Sequence, residues 1–153
     1  MKRIAIILLL GTALPAFADR MPLPANTPAG YQAECGACHM AYQPALLSAS
    51  DWRRTMAGLK DHFGTDATVD GPAGQEIASF LERNAGNAGK LGSAGEPPRI
   101  TQTARFIRKH REIAPRYWND PRIKSAANCE ACHRGAADGN YSEHDILIRE
   151  LRR

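Results

Sequence analysis

All four cysteines of the 153-residue chain fall in two copies of one pattern, Cys35-Gly36-Ala37-Cys38-His39 and Cys129-Glu130-Ala131-Cys132-His133. A Cys-x-x-Cys-His run is the attachment pattern of a c-type haem. The two cysteines hold the porphyrin through thioether bonds, and the histidine binds the iron from one face. Two copies predict two covalent haem c groups, attached at Cys35, Cys38, Cys129 and Cys132, with His39 and His133 as the proximal ligands. No other feature constrains the fold as strongly, because each attachment lays a flat apolar macrocycle against the chain.

A lone Cys-x-x-Cys pair has other meanings: half of a zinc site, a thiol redox pair, or part of a disulfide framework. An all-thiolate zinc site does not need the histidine that follows each pair here. A thioredoxin-like pair would follow an apolar strand. The residues ahead of Cys35 are Gly30-Tyr31-Gln32-Ala33-Glu34, and those ahead of Cys129 are Lys124-Ser125-Ala126-Ala127-Asn128. Neither stretch is an apolar strand.

The N-terminus agrees with haem attachment outside the cytoplasm. Lys2 and Arg3 precede an apolar run from Ile4 to Leu14, and Ala16-Phe17-Ala18 is a small-x-small cleavage pattern. Residues 1–18 read as a signal peptide cut before Asp19, with an uncleaved anchor as the alternative. The run is short for a transmembrane helix. Export to the periplasm is the expected localisation. Without residues 1–18 the formal charge falls from +4 to +2, since 18 basic residues then face 16 acidic ones. That balance does not point to nucleic acid. Basic residues gather at 105–111 and 149–153, as a solvated helix face, a cover for haem propionates, or a docking patch for an acidic partner.

The remaining 135 residues allow one small domain or two haem-centred lobes. A chain of this size has a modest core, and two haems would supply much of its apolar volume. The pattern is mostly helical. Trp52, Met56, Leu59 and Phe63 predict an amphipathic helix from Asp51 to about Phe63, capped by Ser50 or Asp51 and closed by Gly64. Ile77, Phe80 and Leu81 predict another from about Ala73 to Ala85. A third spans roughly Thr103 to Ala114, with Phe106, Ile107, His110, Ile113 and Ala114 on one face and Pro115 ending it. The Gly-rich stretch 86–98 reads as a loop and as the boundary between an N-terminal lobe, 19–95, and a C-terminal lobe, 96–153. The tail Ile146-Leu147-Ile148 reads as a strand or a turn of helix.

The sixth ligand of each iron decides between an electron carrier, a gas binder and an enzyme. His62, His110 and His144 are free for that role. Among the methionines, Met21 lies in a Pro-rich lead-in, Met40 adjoins the proximal histidine, and Met56 sits in an apolar stripe. His110 sits in the middle of an apolar helix face, where an unpartnered imidazole is costly and iron coordination removes the cost. We assign His110 to the second haem and His62 to the first, with the crossed pairing left open and His144 in reserve.

The chain resembles the dihaem cytochrome c family of bacterial periplasmic electron carriers. The resemblance rests on residues 31–42 with the first Cys-x-x-Cys-His, on Trp52-Arg53-Arg54-Thr55-Met56-Ala57-Gly58-Leu59-Lys60-Asp61-His62-Phe63-Gly64, and on Ile100-Thr101-Gln102-Thr103. Phe106-Ile107-Arg108-Lys109-His110-Arg111-Glu112-Ile113, the second Cys-x-Ala-Cys-His and Tyr141-Ser142-Glu143-His144 complete it. It implies a mostly α, small two-lobed fold whose N-terminal lobe is similar to monohaem cytochromes c. It further implies bis-histidine, low-spin, low-potential haems that pass electrons from a membrane b-type cytochrome to a soluble haem protein. The Ile148-Arg149-Glu150 tail departs from the proline-containing ending usual in the family. A non-enzymatic, monomeric electron carrier is the expectation. A dihaem peroxidase or a gas-binding protein is the alternative, and either would need an open or labile iron face.

Overall fold

The computed structural model describes residues 19–151, so the expected signal peptide and its cleavage site lie outside the described residues. Six short α-helices, joined by 3-10 turns and loops, make up the architecture: α1 Tyr31–Cys35, α2 Ala49–Ala57, α3 Gly71–Arg83, α4 Ala88–Leu91, α5 Ala104–His110 and α6 Pro115–Trp118. Among the described residues only isolated β-bridges occur, with no sheet. No helix among them is long and apolar enough to cross a membrane.

The first hydrophobic cluster gathers Tyr31, Ala41, Leu47, Trp52, Ile77, Phe80, Leu81 and Ala94, so it joins α1, α2 and α3. Pro72 stands in the first turn of α3, where its missing N–H costs nothing. Ile77, Phe80 and Leu81 follow at helical spacing and bury against α2. Trp52 crosses from α2 and donates its indole N–H to the Pro44 carbonyl at 2.7 Å. Tyr31 meets Phe80 edge-on, with ring centroids 5.1 Å apart.

A second, smaller cluster is built from Ile123, Ile146 and Ile148, with Tyr117, Ala131 and Cys132 packed against it. The tail runs extended here. Ile146 bridges His133, and the Leu147 N–H donates to the Cys132 carbonyl at 2.7 Å. The tail is therefore an edge laid on the second Cys-x-x-Cys-His, which settles it as extended up to a 3-10 turn at Arg149–Leu151.

Several helix readings need correction. The helix expected over Asp51–Phe63 begins earlier, because Ser48 and not Ser50 or Asp51 is its cap: Ser48 Oγ accepts the Asp51 N–H. It ends at Ala57, since Gly58 diverts the chain into a 3-10 turn at Leu59–Asp61. The helix expected over Thr103–Ala114 stops at His110, with Thr103 as its cap, so Ile113 and Ala114 lie beyond it. Pro115 does not only end a helix; it opens α6. Ile107, expected on the buried face, is 58% exposed. The stretch 86–98 is not all loop, because Asn87 caps the short helix α4, which packs on α5.

Candidate functional site

The first site starts where α1 ends, at Cys35. Gly36 then turns the chain so tightly that a Cβ there would lie 2.3 Å from the Gln32 carbonyl oxygen, which explains glycine at this position of the motif. His39 donates Nδ1–H to the Met40 carbonyl at 2.8 Å. A carbonyl can only accept, so this contact fixes the tautomer and leaves Nε2 free as a metal donor. The Tyr42 ring stacks on the His39 ring at 4.8 Å and 27°.

His62 faces His39 from a turn, not from a helix end. Its main chain pairs both ways with Thr65, at 2.8 and 3.2 Å. Phe63 and Gly64 occupy the two central positions with φ of 56° and 90°, the double left-handed geometry of a type I′ turn. Such a φ costs a bulky residue about 1–2 kcal/mol, and strain of this kind collects at functional sites. Arg99 covers the Phe63 ring at 3.9 Å, and Phe63 in turn lies 4.7 Å from the His62 ring. The ring centroids of His39 and His62 are 6.2 Å apart. Burial, then His39 and Arg99, holds the His62 pKa below its ordinary value, so the ring is neutral, the form that binds metal.

The second site lies in a half-open pocket. A cavity of about 380 Å³ is lined by Cys129, Cys132, His110 and His133, with Leu46, Leu91, Ile123 and Ile146 on its apolar side and Arg105, Arg108 and Lys109 at its polar side. His110, the last residue of α5, donates Nδ1–H to the Phe106 carbonyl one turn back at 2.9 Å. The Phe106 ring stacks on it at 4.0 Å, and Trp118 lies 5.9 Å away. The centroids of His110 and His133 are 6.1 Å apart. Burial is the main cause that lowers both their pKa values, and each of these rings is neutral. His133 Nδ1 is buried without a hydrogen-bond partner; the Ser142 main chain favours the charged ring but is not in hydrogen-bond geometry with that atom.

Both ring pairs fit a haem iron held between them. A metal–imidazole nitrogen bond is about 2 Å, with the ring centroid about 1 Å farther out, so two opposed ligands place their centroids about 6 Å apart. No cluster of three or more His, Cys, Asp or Glu that could hold a metal occurs among the described residues. Each site therefore offers two nitrogen donors, and the remaining four would have to come from a macrocycle. None of the cysteines forms a disulfide. Burial, and then Glu34, pushes the Cys35 thiol up to about 11, and burial likewise raises Cys129 to about 11. Buried thiols of this kind are not the low-pKa thiolates of a redox pair or a zinc site.

The other candidates sit elsewhere. His144 is exposed in a 3-10 turn, where its main chain N–H donates to Ser142 Oγ. Met56 packs on the first cluster, Met40 lends its carbonyl to His39, and Met21 lines the cavity. The residues that sequence reasoning passed over are Gln43, Arg99 and Tyr141, all polar. Gln43 had one visible signal, as the lone side-chain amide in the largely apolar run from Ala41 to Leu47.

The family model for dihaem cytochrome c matches residues 31–141. Three solved structures match with confidence. The new diheme cytochrome type c from Shewanella baltica is 38% identical, with a TM-score of 0.70 over 80% of this chain and 94% of that one. The DHC purified from Rhodobacter sphaeroides is 43% identical, with a TM-score of 0.64 over 74% of this chain and 96% of that one. No match is found among the curated proteins.

Proposed function

The chain belongs to the dihaem cytochrome c family, and on that premise we propose that it carries electrons through two six-coordinate, low-spin, bis-histidine irons. Periplasmic electron transfer by two covalent c-type haems, without catalysis, is the function that the family membership establishes. The finer reading assigns Cys35, Cys38, His39 and His62 to one haem, and Cys129, Cys132, His133 and His110 to the other. The observation that carries it is the pair of imidazole separations, 6.2 and 6.1 Å.

When bound, each haem iron cycles between ferric and ferrous and so holds or releases one electron. The chain's own residues decide that it does nothing else. His62 and His110 would hold the iron faces opposite His39 and His133, which would leave no position for peroxide, oxygen or another substrate. The carbonyls of Met40 and Phe106 orient two of the four rings through Nδ1. Two nitrogen ligands also favour a lower potential than a histidine–methionine pair does. His144 stays outside both sites in this reading, and the crossed pairing of His62 and His110 is disfavoured by the same distances. The lobes 19–95 and 96–153 go with the two clusters, although Ile100 packs with the first. A membrane b-type cytochrome as donor, a soluble haem protein as acceptor and a monomeric carrier complete the proposal.

Electron paramagnetic resonance of the oxidised protein tests it. Two low-spin signals of bis-imidazole type are expected, with no rapid carbon monoxide binding after reduction. A high-spin signal, or a methionine-type spectrum at either iron, would overturn the ligand assignment.

A further inference from the structure

Two consecutive residues tie one attachment site to the other. Tyr42 stacks on His39 and donates its hydroxyl to the Ala127 carbonyl at 2.7 Å. The same carbonyl accepts the Cys129 N–H at 3.0 Å. Gln43 has extended backbone, φ −62° and ψ 134°, so its side chain leaves on the opposite side from that of Tyr42. It is fully buried. Its Nε2 donates to the carbonyls of Ala136 and Ala137, at 2.9 and 3.2 Å, and its Oε1 accepts the Tyr141 hydroxyl. Tyr141 then meets the His133 ring edge-on at 5.5 Å.

Tyr42 therefore holds the stretch just before Cys129, and Gln43 holds the stretch just after His133. Both belong to the segment that follows His39 directly. Tyr31 steadies this segment from the first core by donating its hydroxyl to the Tyr42 carbonyl. Burial keeps Tyr42 and Tyr141 neutral, and so able to donate, at any physiological pH. A buried amide left without partners costs about 1–3 kcal/mol. A fully satisfied one specifies a single arrangement, because any slip of one site against the other would break several bonds at once.

We infer that Tyr42 and Gln43 are positioning residues that fix the second haem attachment against the first and so set the coupling between the two haems. Neither residue touches iron, and the inference rests on the two-haem reading above.

Circular dichroism of the holoprotein in the Soret band tests it, because two neighbouring haems give a bisignate couplet whose amplitude follows their distance and angle. Tyr42→Phe keeps the ring on His39 and removes only the bond to Ala127. Gln43→Leu removes the buried amide. Both are expected to lose couplet amplitude, Gln43→Leu the more, while absorption and paramagnetic resonance still show two low-spin haems. If Gln43→Leu fails to fold, the double variant Tyr42→Phe, Tyr141→Phe decides, since it deletes both hydroxyl contacts and keeps the ring bulk. Leu81→Ala, a core truncation remote in role, is the control and is expected to keep the parental couplet. An unchanged couplet in every folded clamp variant overturns the inference, and so does an equal loss in Leu81→Ala. A high-spin signal in the parent protein would count against the bis-histidine reading alone, and the couplet comparison would still decide the clamp.

Discussion

The two sites share one motif and one ring separation, yet they are built differently. In the first, His39 and Cys38 are exposed, and the facing His62 sits on a strained turn held by Arg99 over Phe63. In the second, the facing His110 ends a helix, is stacked by Phe106, and lies in a cavity of about 380 Å³. The difference teaches that the ligand pair and its surroundings are separable. Opposing imidazoles can be positioned by a turn or by a helix, and the second pair stands in a half-open pocket with an apolar side.

Removal of one haem should break the symmetry most visibly. Cys129→Ser with Cys132→Ser removes the group that fills the second pocket. The apolar side chains that line it, Leu46, Leu91, Ile123 and Ile146, then face water. The small cluster of Ile123, Ile146 and Ile148 is expected to lose cooperative melting, whereas Cys35→Ser with Cys38→Ser keeps a measurable transition in the larger first cluster. Calorimetry of the two variants checks this, and equal losses would remove the distinction between the two sites.

Loss of a facing histidine comes next. His62→Ala and His110→Ala should each convert one haem to high spin. Added imidazole should restore the low-spin spectrum quickly in His62→Ala, where the site is open, and slowly in His110→Ala, where Phe106 and Trp118 wall the vacated space. Stopped-flow absorption reads both rates. Faster recovery in His110→Ala would reverse the comparison.

The potentials should follow the same contrast. The apolar lining and the cations Arg105, Arg108 and Lys109 at the second cavity both disfavour the more positive ferric state. The second haem is expected to titrate at the higher potential, and Arg105→Gln with Arg108→Gln should lower that potential by tens of millivolts while leaving the other in place. A spectroelectrochemical titration distinguishes the two waves. A shift of both waves together would mean that the cations act on the whole molecule and not on one site.

Much of this was legible in the chain, for uneven reasons. The attachment residues announce themselves, because covalent chemistry demands fixed spacing. His110 was legible through its apolar helical neighbours, and α3 through Ile77, Phe80 and Leu81. The turn that carries His62 was not, since Leu59 and Phe63 continue a helical spacing that Gly58 interrupts. Its left-handed Phe63 is an unfavourable local choice, sustained by the contact with Arg99 from a distant segment, and no local pattern encodes such a contact. Ile107 was misjudged for a related reason: α5 turns its Phe106 and His110 side inward, and the one-residue step of about 100° from Phe106 carries Ile107 out to solvent. Gln43 was passed over because its partners lie more than ninety residues away.

The smallest effect concerns acid. Burial would raise the Asp51 pKa, but hydrogen bonds from Ser48 and Arg54 prevail and hold it below the usual value. A carboxylate lowered on folding stabilises the protein above its unfolded pKa of about 3.9, and that contribution disappears as pH falls through the folded value. Asp51 also completes the cap of α2. Asp51→Asn should therefore cost roughly 1 kcal/mol near neutrality and flatten the acid limb of the stability curve. Asp120, beside the second site, is lowered further, to about 2, by its bonds to Arg122. Yet that pair is open to water, which screens it. Asp120→Asn should leave the acid limb nearly unchanged, as read by far-ultraviolet circular dichroism against pH. If Asp120→Asn flattened the curve more than Asp51→Asn, the acid sensitivity would belong to the second site, and the capped helix α2 would not be what limits it.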